Sequence, residues 1–311
     1  MQTRPNKNHP RNTFQREVGS QLSQSGTTLR VRSDAPFYVA LILIGGTYLL
    51  LLLAMLLADA SYMFQEDSAE VVSHEWSVAH PWLGSVVNNP ILAALSDDNI
   101  QYSIVLSLVS CTITAMLSLL VAIPVGYLLS RHQFFGKNFI DAVFDIPIVL
   151  PPLVVGLSLL ILFQYAPPTI REHVVYQLPS VVLAQFVVAC AFAVRTMRAT
   201  FDLIDTRREK VAFTLGCNQA QAFRLVVLPE ARSGILTAGT LAWARALGEF
   251  GPLLVFAGAT RGKTEVLSTT VFLELSIGDL GAAVAVSLIM ITAAAAVLIV
   301  IRTWGMNKLT L

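Results

Sequence analysis

Charge is scarce in this 311-residue chain: Asp, Glu, Lys and Arg make up 13% of it, against roughly 25% in a soluble domain. A water-facing surface is therefore disfavoured. The 21 basic and 20 acidic side chains leave a net charge of +1, without the basic excess of a nucleic-acid-binding surface. Three cysteines are too few for a disulfide scaffold. Cys111 and Cys190 lie in apolar stretches and Cys217 in a polar one, so they read as small apolar side chains. The five histidines show no HxxxH or HExxH pattern, and His74 and His80, flanking Trp76, lack a diagnostic ligand spacing. Gly258–Thr264 (GATRGKT) is one residue short of phosphate-loop spacing, and no strand precedes it. No other nucleotide fingerprint occurs, so any ATP-driven step needs another polypeptide. With 55% hydrophobic residues the chain is not disordered. A multi-span membrane protein remains.

The spans follow from windows poor in charge, since a crossing helix needs about 20 apolar residues. Ala35–Ala58, Ile104–Leu129, Ile146–Ile170, His173–Val194, Ser233–Thr260 and Leu280–Ile301 qualify, the fifth with Arg245 and Glu249 inside it. The first apolar stretch, ~24 residues, exceeds the about 7–15 of a signal-peptide core, so it is expected to stay as a span. Lys and Arg set the orientation. Residues 1–34 carry six of them, 59–101 none but seven acids, and 195–232 seven. An even number of spans with both termini cytoplasmic accommodates these segments; Arg261 and Lys263 fall outside against the rule. The expected fold is all-α, a membrane protein of six transmembrane helices. Its expected parts are a disordered basic cytoplasmic tail (1–34), a first transmembrane helix (35–58), an acidic periplasmic segment (59–101), a core (102–304) and a cytoplasmic tail (305–311). The basic residues of 1–34 could also touch anionic lipid, although a topology signal accounts for them.

Residues 195–232 form the most informative loop. TRREKVAFTL (206–215) predicts a short helix with Val211 and Leu215 on one face, and Gly216 suits the left-handed position that ends it. Asn218 is a good N-cap for a second helix, Gln219–Leu228, with Phe223 and Val227 on one face and Pro229 halting it. A basic helix pair with apolar faces could fill a partner's groove or lie on lipid. Spacing alone allows either.

Glu209-Lys-Val-Ala-Phe-Thr-Leu-Gly216, followed after nine residues by Val226-Val-Leu-Pro229, resembles the EAA signature of permease subunits of bacterial ABC importers. Ala212, Gly216, Leu228 and Pro229 agree with that pattern. Lys210 stands at the family's Glu, Val211 at its first Ala and Val226 at its Ile. The resemblance covers about 102–304 and includes DIPIVLPPLVVG (145–156), similar to a proline-broken helix start. ARALGEFG (244–251) resembles the ALGEFG stretch of molybdate permeases, to which sulfate permeases are related. It implies the fold of a type I importer permease and a multi-pass location in the cell inner membrane. It further implies an ATPase-coupling loop including Glu209, Ala212, Gly216, Leu228 and Pro229. The implied partners are a cytoplasmic ABC ATPase, a periplasmic oxyanion-binding protein and a second permease copy, with a homodimer expected. The cargo would be a tetrahedral oxyanion, molybdate or tungstate first and sulfate or thiosulfate as the alternative. No catalytic residue, cofactor or metal is implied for this chain, and nucleic acid is not an expected partner.

A charge at mid-bilayer costs about 2.5–3.5 kcal/mol on insertion scales, so Arg245 and Glu249, one helical turn apart, should face the bundle interior. They are either a structural ion pair or part of a translocation path, with Arg245 supplying positive potential to an anion. Gly248 and Gly251 beside them permit close helix approach or bending and fit both readings. Pro147, Pro151 and Pro152 are expected to prevent a regular helix start. An ion-coupled carrier would show buried acids or inverted repeats, and a membrane enzyme a polar cluster within the spans. Neither is evident.

Overall fold

The computed structural model describes residues 35–65 and 94–307. The basic segment 1–34, most of the acidic segment with His74 and His80, and residues 308–311 lie outside the described residues. The chain divides into two units, Met1–Leu56 and Leu57–Leu311. Helix α1 (Ala35–Gln65) begins in the first; between Ile42 and Asp59 it is apolar on all sides and unburied, as a lipid-facing span requires.

The second unit is all-helical among the described residues: α2 (Asp98–Arg131), α3 (Lys137–Val149), α4 (Pro152–Gln164), α5 (Pro168–Val174), α6 (Leu178–Leu203), α7 (Thr206–Thr214), α8 (Gln219–Ala222), a π-helical turn Phe223–Val227, α9 (Leu228–Glu230), α10 (Arg232–Leu247), a second π-helical turn Leu253–Ala257, α11 (Leu267–Ile277) and α12 (Leu280–Asn307). Among these residues α1, α2, α6 and α12 are each long and apolar enough to cross a membrane, while α3 and α4 together match one more span, bent by 112°.

The core is built on α2 and α6. Lipid gives helices no hydrophobic reason to associate, so close packing of small side chains does that work. Helix α2 turns Ser103, Ser107, Ser110, Thr114 and Ser118 inward at spacings of three and four, together with Cys111, Ala115 and Ala122. Helix α6 answers with Ala184, Ala189, Ala193 and Val194, and Thr114 Oγ1 donates to Gln185 Oε1 at 3.2 Å. At Gly126 a Cβ would lie 2.9 Å from the Arg198 backbone nitrogen and from Met197 Cβ, so the two helices meet there backbone to backbone.

Three expected spans differ in form. The third is bent within its length: Pro147 sits inside α3, and the break before α4 falls at Leu150–Pro151, whose extended backbone suits residues that precede proline. The fourth runs on past Arg195 to Leu203. Arg198 pairs with Asp141 of α3, and Arg195 approaches Asp145 at 3.6 Å, so charges read as a loop are carried on the helix end. The fifth is interrupted: α10 ends at Leu247, residues 248–250 leave the helix, and a short helical stretch resumes at Gly251.

That stretch packs on α4 through two glycines. A Cβ on Gly251 would lie 2.8 Å from the backbone of Pro152 and Leu153, and one on Gly156 would lie 2.7 Å from Pro252 Cα. Gly248 differs: the nearest atom to its added Cβ is Ala244 O at 3.7 Å, ordinary contact, and its φ is −82°. Gly251→Ala should therefore destabilise the bundle by about 1–3 kcal/mol through overpacking, whereas Gly248→Ala should not. Thermal unfolding of the detergent-solubilised chain checks this; equal midpoints for the two variants would contradict the packing account.

Candidate functional site: the loop 204–231 and the broken span

The expected loop helix pair is present, with its local chemistry intact. Asp205 caps α7 by accepting from the Arg207 N–H at 2.9 Å. Gly216, at φ +88°, follows the helix; its N–H bonds Phe213 O and that of Cys217 bonds Ala212 O, both at 3.0 Å. These two bonds are a Schellman ending, which consumes carbonyls that would otherwise lack donors. Asn218 and Gln221 exchange side-chain and backbone bonds of 2.9 Å at the start of α8.

Pro229 does not halt the second helix, contrary to expectation. The helix widens into the π turn Phe223–Val227, where the Leu228 N–H reaches Phe223 O, and it passes through Pro229 to Glu230. Widening relieves the clash that proline makes with the carbonyl four residues back. The chain turns into α10 at Ala231.

The two apolar faces separate. Val227 is buried and Phe223 half-buried, its ring 4.6 Å from that of Tyr127. Val211, Leu215 and Leu225 face outward, with Leu215 80% exposed. Among the EAA-like residues, Ala212 is buried, Leu228 and Pro229 are half-buried, and Gly216 is exposed beside exposed Lys210. Glu209 points inward. Its side chain, 9% exposed, meets Arg131 Nε at 2.7 Å and accepts from the Tyr127 hydroxyl at 3.0 Å, while Arg131 Nη2 donates to Ile204 O at 2.9 Å. Arg131 and Tyr127 carry no signal of this role in the sequence. The partners lie 78 and 82 residues from Glu209, so no local pattern could have joined them.

The second candidate site is the interruption at 248–250. Glu249 lies beyond the end of α10, not on its face, yet its Oε2 is 2.9 Å from Arg245 Nη2. The contact is off the hydrogen-bonding line, and neither Glu249 oxygen accepts a hydrogen bond although the side chain is fully buried. Arg245, 29% exposed, lies 5.7 Å from the centroid of the Phe192 ring of α6, a cation–π contact. Irregular backbone here needs partners inside the protein: the Glu249 N–H bonds Ala246 O at 3.3 Å, and Ser268 Oγ donates to Glu249 O at 2.6 Å. Arg245, Gly248 and Glu249 are thus brought together, while Gly251 serves the packing on α4.

Residues 258–266, at the end of α2 opposite the loop, are not a phosphate cradle. The Thr260 carbonyl accepts the N–H groups of Lys263, Thr264 and Glu265, leaving those donors engaged. Arg261 is paired with Glu274 at 2.5 Å, which neutralises one of the two cations that opposed the charge rule. Burial pushes the Glu265 carboxyl above the usual carboxylate range, with Thr270 and Arg261 drawing it back in part. Among the described residues no group of His, Cys, Asp and Glu could hold a metal ion.

The family described as "Binding-protein-dependent transport system inner membrane component" matches residues 122–309. The molybdate/tungstate transport permease WtpB of Pyrococcus abyssi is 36% identical over 151 residues, 49% of this chain and 58% of the relative. The chain thus spans a little over half the length of that protein. The sulfate transport permease CysT of Salmonella typhimurium is 30% identical over 264 residues, covering 83% of this chain and 90% of the relative. A probable molybdenum ABC transporter permease of Haloferax volcanii is 31% identical over 259 residues, covering 83% and 87%. A solved bacterial alginate ABC transporter, in complex with a periplasmic protein bound to alginate pentasaccharide, superposes with a TM-score of 0.64 at 13% identity, covering 88% of this chain and 94% of that one. With helices apolar enough to cross a bilayer and a match over more than half its length, the chain belongs to the inner-membrane component family of binding-protein-dependent transport systems.

Proposed function

We propose that this chain is the non-catalytic membrane subunit of an ATP-driven importer for a tetrahedral oxyanion, molybdate or tungstate. The observation that carries the reading is the likeness to permeases named for those anions, at 36% and 31% identity. In it, a periplasmic protein delivers the anion, two copies of this chain form the path, and a cytoplasmic ATPase docks on 204–231. An outward apolar patch (Val211, Leu215, Leu225) on a loop rigidified by two caps supports that docking. Arg245 would offer positive potential to the anion, and Glu249 would hold the guanidinium in place. The topology is six crossings with both termini cytoplasmic. A second reading, sulfate or thiosulfate as cargo, is favoured by the match to the sulfate permease over 83% of the chain. Uptake of labelled molybdate and sulfate by cells expressing the complete importer separates the two. Saturable molybdate uptake that excess sulfate does not suppress is expected; preferential sulfate uptake would establish the second reading.

Cysteine reporters at Ser73 or Asn88 should react with an impermeant thiol reagent in intact cells, and reporters at Ser130 or Asn218 should not. Labelling of Asn218 from outside would sink the topology. At Gly216 an added Cβ meets nothing within 4 Å, so Gly216→Val acts through the backbone alone, costing about 1–2 kcal/mol at positive φ. Normal membrane abundance with lost uptake and weakened ATPase co-purification is expected; undiminished ATPase binding and uptake would refute the docking role.

The Arg245–Glu249 pair separates path from scaffold. Removing one charge leaves the other uncompensated, costing about 3–5 kcal/mol, whereas replacing both can be near neutral. Arg245→Met with Glu249→Gln should thus restore abundance relative to either single change, yet leave uptake poor. Recovery of uptake in the double variant would refute the path role.

A further inference from the structure

We infer that Arg131 and Glu209 are positioning residues that fasten the loop 204–231 to α2, and that α2 carries loop displacement to the broken span at Glu249. The inference rests on the docking reading proposed above.

The tie at the loop end is the well-made one. Both side chains are 9% exposed and 2.7 Å apart, the second Glu209 oxygen accepts from the Tyr127 hydroxyl, and Arg131 Nη2 donates to the Ile204 carbonyl. A buried pair of this kind holds its partners in place because breaking half of it strands a charge. The loop's other ion pair, Arg208–Glu230, joins α7 to α9 within the loop and does not reach α2. A force on α7 therefore reaches α2 chiefly through Glu209.

Helix α2 continues unbroken through Pro124 from Arg131 to Ser107, about 36 Å at the α-helical rise. The backbone contact at Gly126 keeps it from sliding along α6. In the other half of the helix the buried Ser107 Oγ accepts from the Leu267 N–H at 2.8 Å, and the next residue, Ser268, donates to Glu249 O at 2.6 Å. The same hydrogen-bonded line thus joins the docking loop to the interruption that holds Glu249.

The test uses the importer reconstituted in liposomes with its ATPase and its binding protein, loaded with molybdate and, in parallel, with sulfate. Glu209→Gln should lower stimulation by loaded binding protein and uptake about tenfold, within the range seen for residues that carry coupling between sites. Ser107→Ala, far from the loop, should show the same signature, which a purely local role of the loop would not produce. If Glu209→Gln lowers abundance, Tyr127→Phe carries the test, since it keeps the ring on Phe201 and Phe223 and loses only the hydroxyl. Undiminished stimulation in Ser107→Ala, or in the abundant loop variant, overturns the inference alone. A wild-type chain that retains no ATPase overturns the docking reading and this inference with it.

Discussion

Within a bilayer no water is available to satisfy a backbone or side-chain polar group, and the arrangement of this chain follows from that constraint. Helices α2 and α6 bring a Ser, Thr and Cys stripe against alanines, where Ser107 and Ser110 bond to carbonyls of their own helix and Thr114 to Gln185 while the backbones approach closely. Where α10 is interrupted, the freed carbonyl of Glu249 is taken by Ser268 and its amide by Ala246. The interruption persists because protein groups replace the missing helical bonds. Irregular backbone of this kind is confined to places where such partners exist.

The two buried ion pairs answer to the same constraint in different ways. Arg131 and Glu209 come from separate elements, and both Glu209 oxygens and two of the guanidinium nitrogens are hydrogen-bonded, which suits a fastening. Arg245 and Glu249 are four residues apart, and the Glu249 oxygens lack hydrogen-bond donors while the arginine rests near an aromatic face. An arginine that is not held by a full set of bonds retains donors for another anion. In the proposed importer the first pair would serve rigid transmission and the second a site that engages and releases an anion.

Much of the loop was legible in sequence because its determinants are local. A glycine at positive φ and an Asn at the start of a helix each act within one turn. The broad class was legible too, since low charge and long apolar runs leave few alternatives. Span limits were less so. Charges were read as boundaries, yet Arg195 and Arg198 lie on α6 because acids of α3 stand beside them. Pro229 predicts a stop, yet a π turn accommodates it.

Composition and cap chemistry by themselves determined a membrane-embedded helical chain with a structured loop. Only the tertiary structure decided that Glu209 turns inward to Arg131, that Gly251 is packed against backbone while Gly248 is free, and that the fifth apolar stretch is broken at Glu249. The reason is range. Caps and apolar windows are satisfied by neighbours within a turn or two, whereas these features depend on partners far apart in sequence, whose identity emerges only when the helices have packed.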